Sequence, residues 1–347
     1  MKLALIGYGG MGSYHAANIS EMNQKGDLSL TLSGIWDIDP ARREAARAAG
    51  FAAFESLEEA LSSCEAVLLA TPNDTHLPLT QAAAAAGKHI LCEKPIACSL
   101  EEAEQMYRAA EEGGVLLTVH QNRRLDPDFL CLKQIVEGGE LGRIYRIESQ
   151  VCGGNGIPGD WRKRAAQGGG MMLDWGVHLL DQMHLLFGRP DWVHCVCSYV
   201  LGEEVDDGFL LEAGYPDLLY RVEVDTNCFV PRFRWLAFGE AGTAEISDWE
   251  MNGEMVRIKE RVDPALKGVQ AGNGLTRTMA ARSEQTLEKL PLPKASLPGP
   301  AYYRNFAAAA AGKEAPFVKK EEVLSVFSLM EEALRSDRER RVIFLKK

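Results

Sequence analysis

Short apolar segments alternate with amphipathic ones from residue 1 to about residue 121. We predict five strands here, at Lys2–Ile6, Leu30–Trp36, Ala66–Ala70, His89–Cys92 and Val115–Val119. Between them we predict helices at Met11–Met22, Pro40–Ala49, Leu77–Ala86 and Leu100–Glu112. Strands separated by single helices are typical of a parallel sheet with helices on both faces. The pattern therefore predicts a doubly wound α/β domain over residues 1–121.

The pattern changes after Gln121. A predicted helix at Pro127–Glu137 is followed by strands rich in Val, Ile, Tyr and Cys, at Ile144–Val151, Val193–Leu201, Phe209–Gly214, Tyr220–Phe229 and Arg232–Phe238. Their spacing is typical of an antiparallel sheet. Residues 263–300 are polar and rich in Pro and Gly, which predicts a long loop or lid. The predicted closing elements are helices at Tyr303–Ala311 and Glu321–Ser336 and a strand at Val342–Leu345. We predict a second, α+β domain over residues 122–347.

The composition is that of a globular protein, and the length of 347 residues fits two domains. The net charge of -11 argues against nucleic acid or an anionic membrane as a partner, since both require basic surfaces. We find no apolar run near the roughly 20 residues of a membrane span, and the apolar start ends at Gly7, too early for a signal peptide. Eight cysteines without a C-x-x-C pair are typical of reduced thiols, so we expect a cytoplasmic protein.

The first motif with chemical meaning is Gly7-Tyr8-Gly9-Gly10-Met11-Gly12, a G-x-G-x-x-G between the first strand and the first helix. Such glycines make a tight turn, let the backbone approach a pyrophosphate and let the helix pack on the strand. The helix N-terminus then faces the phosphate charge. The alternative is an ordinary glycine-rich turn, but the strand-loop-helix context favours a dinucleotide site.

Asp37 stands at the end of the second predicted strand. A carboxylate there can accept hydrogen bonds from a ribose 2′-hydroxyl and repel a 2′-phosphate, which favours NAD over NADP. The alternative is that Asp37 caps the next helix, although Asp39 before Pro40 is the better cap candidate. Arg42 and Arg43 could accept a 2′-phosphate, so NADP is not excluded.

Two further motifs follow the third and fourth strands. They are Thr71-Pro72-Asn73-Asp74-Thr75-His76 and Glu93-Lys94-Pro95. Both lie at carboxyl ends of predicted parallel strands, where open α/β sheets bind ligands. Lys94 precedes a proline, which disfavours helix and allows its side chain to be held at a bend; the alternative is a solvated surface lysine.

Three glycines, Gly168-Gly169-Gly170, open a predicted helix in the second domain. Asp174, His178 and Asp181 follow at i, i+4 and i+7, which predicts one helix face. A carboxylate one turn from a histidine can serve as an acid/base pair. His184 extends the row, so a metal site is one alternative and a buried helix with satisfied polar groups is another.

Taken together, these segments resemble the Gfo/Idh/MocA oxidoreductases, a family named after glucose-fructose oxidoreductase, inositol dehydrogenase and a rhizopine-catabolism protein. The resemblance rests on the four motifs above, in this order. It extends to His120–Phe129, which looks like the family's crossover into its second domain, to Trp161-Arg162, and to the closing segment from Tyr303 to Leu345. It therefore runs nearly end to end.

The resemblance implies a Rossmann domain and a second domain with an open, mostly antiparallel sheet that often mediates oligomers. We accordingly expect a homodimer or homotetramer, NAD as the cofactor and a carbohydrate or polyol as the small-molecule substrate. The residues expected at the cofactor are Gly7, Tyr8, Gly9, Gly10, Met11, Gly12, Asp37, Thr71, Pro72, Asn73, His76, Glu93, Lys94, Trp161 and Arg162. The residues expected at the substrate are Lys94, Asn122, Arg124, Trp161, Asp174 and His178. The family uses no metal, so none is expected.

The resemblance also implies that Lys94, Asp174 and His178 form the catalytic set. We expect oxidation of a secondary alcohol of a sugar, cyclitol or glycoside, or the reverse reduction. His178 would act as general base because imidazole titrates near neutral pH, Lys94 would stabilise charge on the same oxygen, and Asp174 would orient a neighbouring hydroxyl. Two alternatives stay open: a glycosidase or lyase that uses NAD transiently through a 3-keto sugar, and a non-catalytic dinucleotide-binding regulator.

Overall fold

Five parallel strands form the amino-terminal sheet of the computed structural model, which describes residues 1–159, 161–261, 269–271, 274–277, 282–295 and 301–346. The strands are β1 Lys2–Ile6, β2 Thr31–Trp36, β3 Ala66–Leu69, β4 His89–Cys92 and β5 Leu117–Val119. Their order is β2-β1-β3-β4-β5. The chain reverses its direction of strand addition at β1, and such a switch point opens a ligand crevice at the carboxyl ends of the strands. The prediction of a parallel doubly wound sheet is confirmed.

Helices connect these strands at α1 Gly10–Gln24, α2 Pro40–Ala48, α3 Leu57–Ser62, α4 His76–Ala85 and α5 Leu100–Glu112. Asp39 caps α2 by accepting from the Ala41 amide, and Pro40 supplies the first helical residue. The short helix α3 was not predicted, because its six residues are too few to show a helical period.

The second part of the chain folds on a large mixed sheet. Its elements in chain order are α6 Pro127–Gly138, β6 Ile144–Cys152, α7 Val177–Phe187, β7 Trp192–Ser198, β8 Gly208–Gly214, β9 Leu219–Asp225, β10 Trp235–Gly239, β11 Gly242–Ile246, β12 Gly253–Ile258, β13 Val269–Ala271, β14 Leu275–Arg277, β15 Leu287–Leu290, α8 Ala301–Ala310, α9 Lys320–Glu339 and β16 Ile343–Phe344. The order is β15-β12-β11-β10-β6-β9-β8-β7-β16, with a separate β13-β14 pair. Only the β6-β9 contact within the described large sheet is parallel, so the expected open, mostly antiparallel sheet is confirmed.

Several sequence-based boundaries need correction. The strands β11 and β12 were not predicted, because glycine and glutamate interrupt their apolar alternation. Three strands lie inside the predicted loop at 263–300, which is therefore wrong at Val269–Ala271, Leu275–Arg277 and Leu287–Leu290. Residues 263–268, 272–273, 278–281 and 296–300 of that predicted loop lie outside the described residues.

The end of the chain returns to the first sheet. Tyr303 and Phe306 of α8 are buried in one core cluster with Leu3, Leu5 and Ile35. The packing of α8 therefore stabilises the amino-terminal sheet, while α9 packs on β7 and α7. We predicted a domain boundary at residue 121. The helix α8 lies after this boundary in the sequence but packs against the sheet formed by the residues before it.

The outer face of the large sheet is mixed in character. Glu148 pairs in register with Arg221, and Gln150 with Glu223. Alternating charges on this face do not form the large apolar surface that usually drives association, so the homo-oligomer stays a prediction. Among the described helices, none combines the length and the apolar character needed to cross a membrane.

Candidate active site

A cleft of about 580 Å³ opens at the carboxyl ends of β1, β3 and β4 and is closed from the other side by α7 and its preceding loop. Most of the predicted site residues line it: Gly9, Gly10, Met11, Thr71, Pro72, Asn73, Glu93, Lys94, Asn122, Trp161, Arg162, Asp174 and His178. Other wall residues are Arg42, Ala70, Arg123, Pro158 and Trp175. The fold thus brings together motifs that lie far apart in the sequence.

The glycine loop has the geometry of a phosphate cradle. Gly7 has φ +94°, and a Cβ on Gly12 would lie 2.1 Å from the Gly7 carbonyl oxygen, so α1 could not pack so closely on β1 with any other residue at position 12. No side chain caps α1 at Gly9. The first amides of α1 therefore remain available to an anion, together with the positive end of the helix dipole. These features fit the pyrophosphate of a dinucleotide.

Asp37 ties the end of β2 to this loop. Its carboxylate accepts from the Tyr8 amide at 2.7 Å and from the Asp39 amide at 2.9 Å. Arg42 lines the cleft, with its guanidinium 3.7 Å from the Asp37 carboxylate. Arg43 instead donates to the Asp37 carbonyl. An acidic and a basic group thus stand together beside the glycine loop, although only Arg42 is among the residues that line the cleft.

The predicted contact of His76, the histidine of the Thr-Pro-Asn motif, with the cofactor needs correction. His76 is fully buried, and we do not find it among the described residues that line the cleft. Its Nδ1 lies 3.1 Å from the carbonyl oxygens of Pro95 and Ile96, and its Nε2 lies 3.0 Å from that of Thr71. His76 therefore fastens the loop after β3 to the loop after β4, and its role is to position Thr71 and Lys94.

Lys94 and Asp174 form the central ion pair of the cleft. The Lys94 ammonium donates to Asp174 Oδ1 and to the Asp174 carbonyl, both at 3.0 Å. Arg162 donates to Asp174 Oδ2 at 3.2 Å and stacks 4.3 Å from the centre of the Trp161 ring. Burial opposes ionisation of Asp174, but Lys94 and Arg162 outweigh it and lower the pKa of its carboxyl group. Asp174 is thus an anion that orients two cations.

His178 is buried beside this pair, and its Nδ1 has no hydrogen-bond partner in the described part of the chain. Burial, followed by the nearby positive Lys94 and Arg123, holds the pKa of His178 well below 6.5. The imidazole is therefore neutral at pH 7 and can accept a proton.

The predicted helix opens with a π-helical turn, Met172–Gly176, before α7 begins. Gly170 has φ +101°, and a Cβ there would lie 2.3 Å from Asp206 Oδ1. The same carboxylate accepts from the Met172 amide at 2.8 Å. Asp206 and the glycine therefore fix the start of the turn that presents Asp174 to Lys94.

The expectation that Asp174, His178 and Asp181 share one helix face is wrong at Asp181. Its carboxylate accepts two hydrogen bonds from Arg124, at 2.6 and 2.7 Å, away from Asp174. Arg124 also donates to Glu322 and to the Phe317 carbonyl. Because these contacts use its guanidinium, Arg124 is a buried structural residue, and its neighbour Arg123 lines the cleft instead.

Sequence reasoning missed a buried network under Lys94. His15 Nε2 and His120 Nδ1 lie 2.7 and 2.8 Å from the same Glu93 oxygen, and His15 Nδ1 lies 2.6 Å from the Tyr303 hydroxyl. Burial raises the pKa of Glu93, but the two histidines outweigh it and hold the pKa well below its usual range. The Lys94 amide donates to the other Glu93 oxygen at 3.2 Å.

These three residues, His15, Glu93 and His120, are also the one set in the described residues whose ligand atoms lie close enough together to hold a metal ion. Their distances are those of hydrogen bonds, so we interpret them as a network that fixes the backbone of Lys94. His15 stands one turn after the glycine loop, and His120 directly follows β5. These two positions were the only features of the sequence that could have indicated the network.

Comparison with known proteins agrees with this geometry. The model of the oxidoreductase family with an NAD-binding Rossmann fold matches residues 1–121, and the model of the GFO/IDH/MocA C-terminal domain matches residues 129–245. A solved NAD-binding protein from Listeria innocua is 39% identical, with a TM-score of 0.93 over 99% of both chains. The amino-terminal domain is thus an NAD-binding Rossmann domain.

Among curated proteins, the Escherichia coli oxidoreductase YdgJ is 30% identical over 80% of both chains. The NADP-dependent scyllo-inositol 2-dehydrogenase IolW of Bacillus subtilis is 29% identical over 99% of this chain and 96% of its own. The match to a Schizosaccharomyces pombe oxidoreductase, C115.03, is 36% identical but spans only 47% of this chain and 46% of that protein. The chain belongs to the Gfo/Idh/MocA family of NAD-binding oxidoreductases.

Proposed function

We propose that the protein oxidises a secondary alcohol of a sugar, cyclitol or glycoside with NAD, or runs the reverse reduction. The observation that carries this proposal is the placement of the Lys94 ammonium and the neutral His178 imidazole in the same cleft as the glycine loop. The named activity of IolW on an inositol supports the substrate class. The free state of all eight cysteines agrees with a cytoplasmic setting.

The proton and the charge are handled by this chain's own residues. A nicotinamide cofactor held in the cleft would supply the acceptor for the hydride of the carbinol carbon. His178 takes the hydroxyl proton, because its imidazole is neutral and lines the cleft. Lys94 donates two of its three N–H groups to Asp174. It offers the third N–H to the substrate oxygen that loses its proton to His178, because negative charge develops on that oxygen. Asp174 and Arg162 hold Lys94 in place and bind a neighbouring hydroxyl.

The cofactor preference is a finer part of the proposal. Asp37 favours NAD because its carboxylate would repel a 2′-phosphate. Arg42, 3.7 Å away, could instead pair with such a phosphate, so activity should be measured with both cofactors.

The test is a panel of sugars, inositols and glycosides, followed at the NADH absorbance band with NAD and with NADP. Initial rates on at least one secondary alcohol would support the proposal. Aglycone release without net NADH would point instead to the NAD-assisted glycosidase or lyase. Cofactor binding without turnover of any compound would point to a regulator.

The pH profile of this oxidation gives a first prediction. The base must be neutral, and the pKa of His178 lies well below 6.5, mainly because the ring is buried. Lowering the pH from 7.5 to 6.5 should therefore leave kcat/KM nearly unchanged, with the acid limb at lower pH. Initial rates at saturating NAD measure this. A half-maximal loss above pH 6.5 would contradict the role of His178 as the base.

A further inference from the structure

A second hollow of about 460 Å³ adjoins the cleft and shares Arg123, Pro158 and Trp175 with its wall. The cleft must hold the cofactor's reactive end and the carbon that gives up the hydride, beside Lys94 and His178. Any part of a substrate that extends past Trp175 would therefore enter this hollow. Its other walls come from β6, β9 and the segments that follow them.

Trp249 forms the far wall and is 43% exposed, although a large aromatic side chain is usually covered. It stands in the turn between β11 and β12. Asp248 accepts from the amides of Glu250 and Asn252, both at 3.0 Å, and Met251 adopts a left-handed φ of 67°. Non-glycine residues held at positive φ cluster at ligand sites. The turn is thus a defined support that presents an indole ring to the hollow.

Neighbouring side chains hold the two indole rings that line the hollow, those of Trp175 and Trp249. The Trp175 and Trp249 rings lie 6.0 Å apart at 42°, and the Arg123 guanidinium lies 4.2 Å from the Trp175 centre and 5.2 Å from that of Trp249. The buried Arg234, held by Asp128 at 3.0 Å, lies 4.7 Å from the Trp249 ring centre. These contacts keep both indoles in fixed orientations.

The charges of the hollow favour a neutral ligand. Arg123 donates to Asp126 at 2.8 Å, so its charge is already paired. Asp225 contributes a carboxylate to the wall, which would repel a phosphate. Indole faces with polar groups around them suit the C–H face and the hydroxyls of a sugar ring.

We propose that this hollow is a subsite for the second ring of a two-ring substrate, a neutral glycoside or disaccharide whose first ring is oxidised at Lys94 and His178. This inference rests on the proposed function and narrows its substrate class. Trp249 is the residue that determines the preference, because it lines the hollow and is absent from the lining of the catalytic cleft. Single-ring alcohols would bind without touching it.

The test is calorimetric titration of NADH-loaded protein, in which an alcohol binds but cannot be oxidised. The probes are matched pairs: glucose with maltose and cellobiose, and myo-inositol with its galactoside galactinol. At least one two-ring probe should bind more tightly than its single-ring partner. Trp249→Ala should weaken the affinity for that two-ring probe by about tenfold, which corresponds to the loss of one stacking contact. The affinity for the single-ring partner should not change. Trp249→Phe should retain most of the preference.

Phe344→Ala is the matched control, since it removes an aromatic side chain that is 78% exposed at the opposite edge of the sheet. It should change neither affinity. The proposal is overturned if no two-ring probe binds more tightly than its partner, or if Trp249→Ala weakens both members of a pair equally. The titration measures binding and does not depend on turnover. A lack of oxidation on the panel would therefore refute the proposed function, while the titration would still test the subsite.

Discussion

Replacing His178 with asparagine should lower kcat for sugar or cyclitol oxidation by about 100- to 10,000-fold, the usual contribution of a general base. Asparagine fills much of the same buried space but cannot take up the proton. NAD affinity should stay near normal, because the glycine loop that we expect to hold the pyrophosphate is formed by other elements. The measurement is kcat and the NAD dissociation constant on one sample, together with its melting temperature.

The control for this variant is His184→Asn, a half-buried histidine on the same helix that does not line the cleft. It should keep normal turnover. If His178→Asn is folded, binds NAD and turns over at the normal rate, then His178 is not the base. Asp174 would then be the next candidate.

Removing the Lys94 ammonium should lower kcat by about 100- to 1,000-fold, as expected for the loss of one donor to a developing oxyanion. Lys94→Ala also removes one of the two cations that contact Asp174. The pKa of the Asp174 carboxyl group should therefore rise, because burial raises this pKa and only Arg162 remains to lower it. Since Lys94 and His178 share one oxygen, the double variant should lose less than the product of the single losses.

The comparison for Lys94 is Lys320→Ala, which removes a half-buried lysine paired with Glu111 at a distance from the cleft. Its kinetics should be normal. Independent, multiplicative losses in the double variant, or a large loss of NAD affinity in Lys94→Ala with kcat preserved, would contradict a shared action on the reacting oxygen.

Local sequence patterns were sufficient to predict the first sheet. Glycines and a proline mark the ends of its strands and helices, and parallel strands align their carboxyl ends at one edge. The residues that follow β3 and β4, such as Thr71 and Lys94, therefore had to face one crevice. Only the family resemblance grouped Asp174 and His178 with Lys94, and nothing in the spacing predicted the π-helical turn at Met172–Gly176.

The sequence could not show which of two neighbouring side chains turns into the cleft. Arg123 and Arg124 stand in one short 3-10 helix, and only the contacts with the buried Asp181 and the partly buried Glu322 decide that Arg124 points away. His76 was misplaced for the same reason, because its partners are backbone carbonyls that no residue pattern reveals.

Contacts between distant segments were also beyond local patterns. Tyr303 reaches His15 across 288 positions, and Trp249 meets Trp175, 74 positions earlier in the sequence. The apolar alternation of β11 and β12 is too short to identify them as strands. The packing of the whole sheet, rather than the local propensity of either strand, fixes that part of the site.

The central claim is that a carbinol hydrogen of a sugar or cyclitol is transferred as hydride to NAD in this cleft. The direct measurement uses the best alcohol of the panel, deuterated at its carbinol carbons, and mass spectrometry of the reduced cofactor. We predict one deuterium in the cofactor formed by the native chain and almost none formed by His178→Asn in the same time. Reduced cofactor without deuterium, or no reduced cofactor from any alcohol while NAD is bound, would contradict the claim.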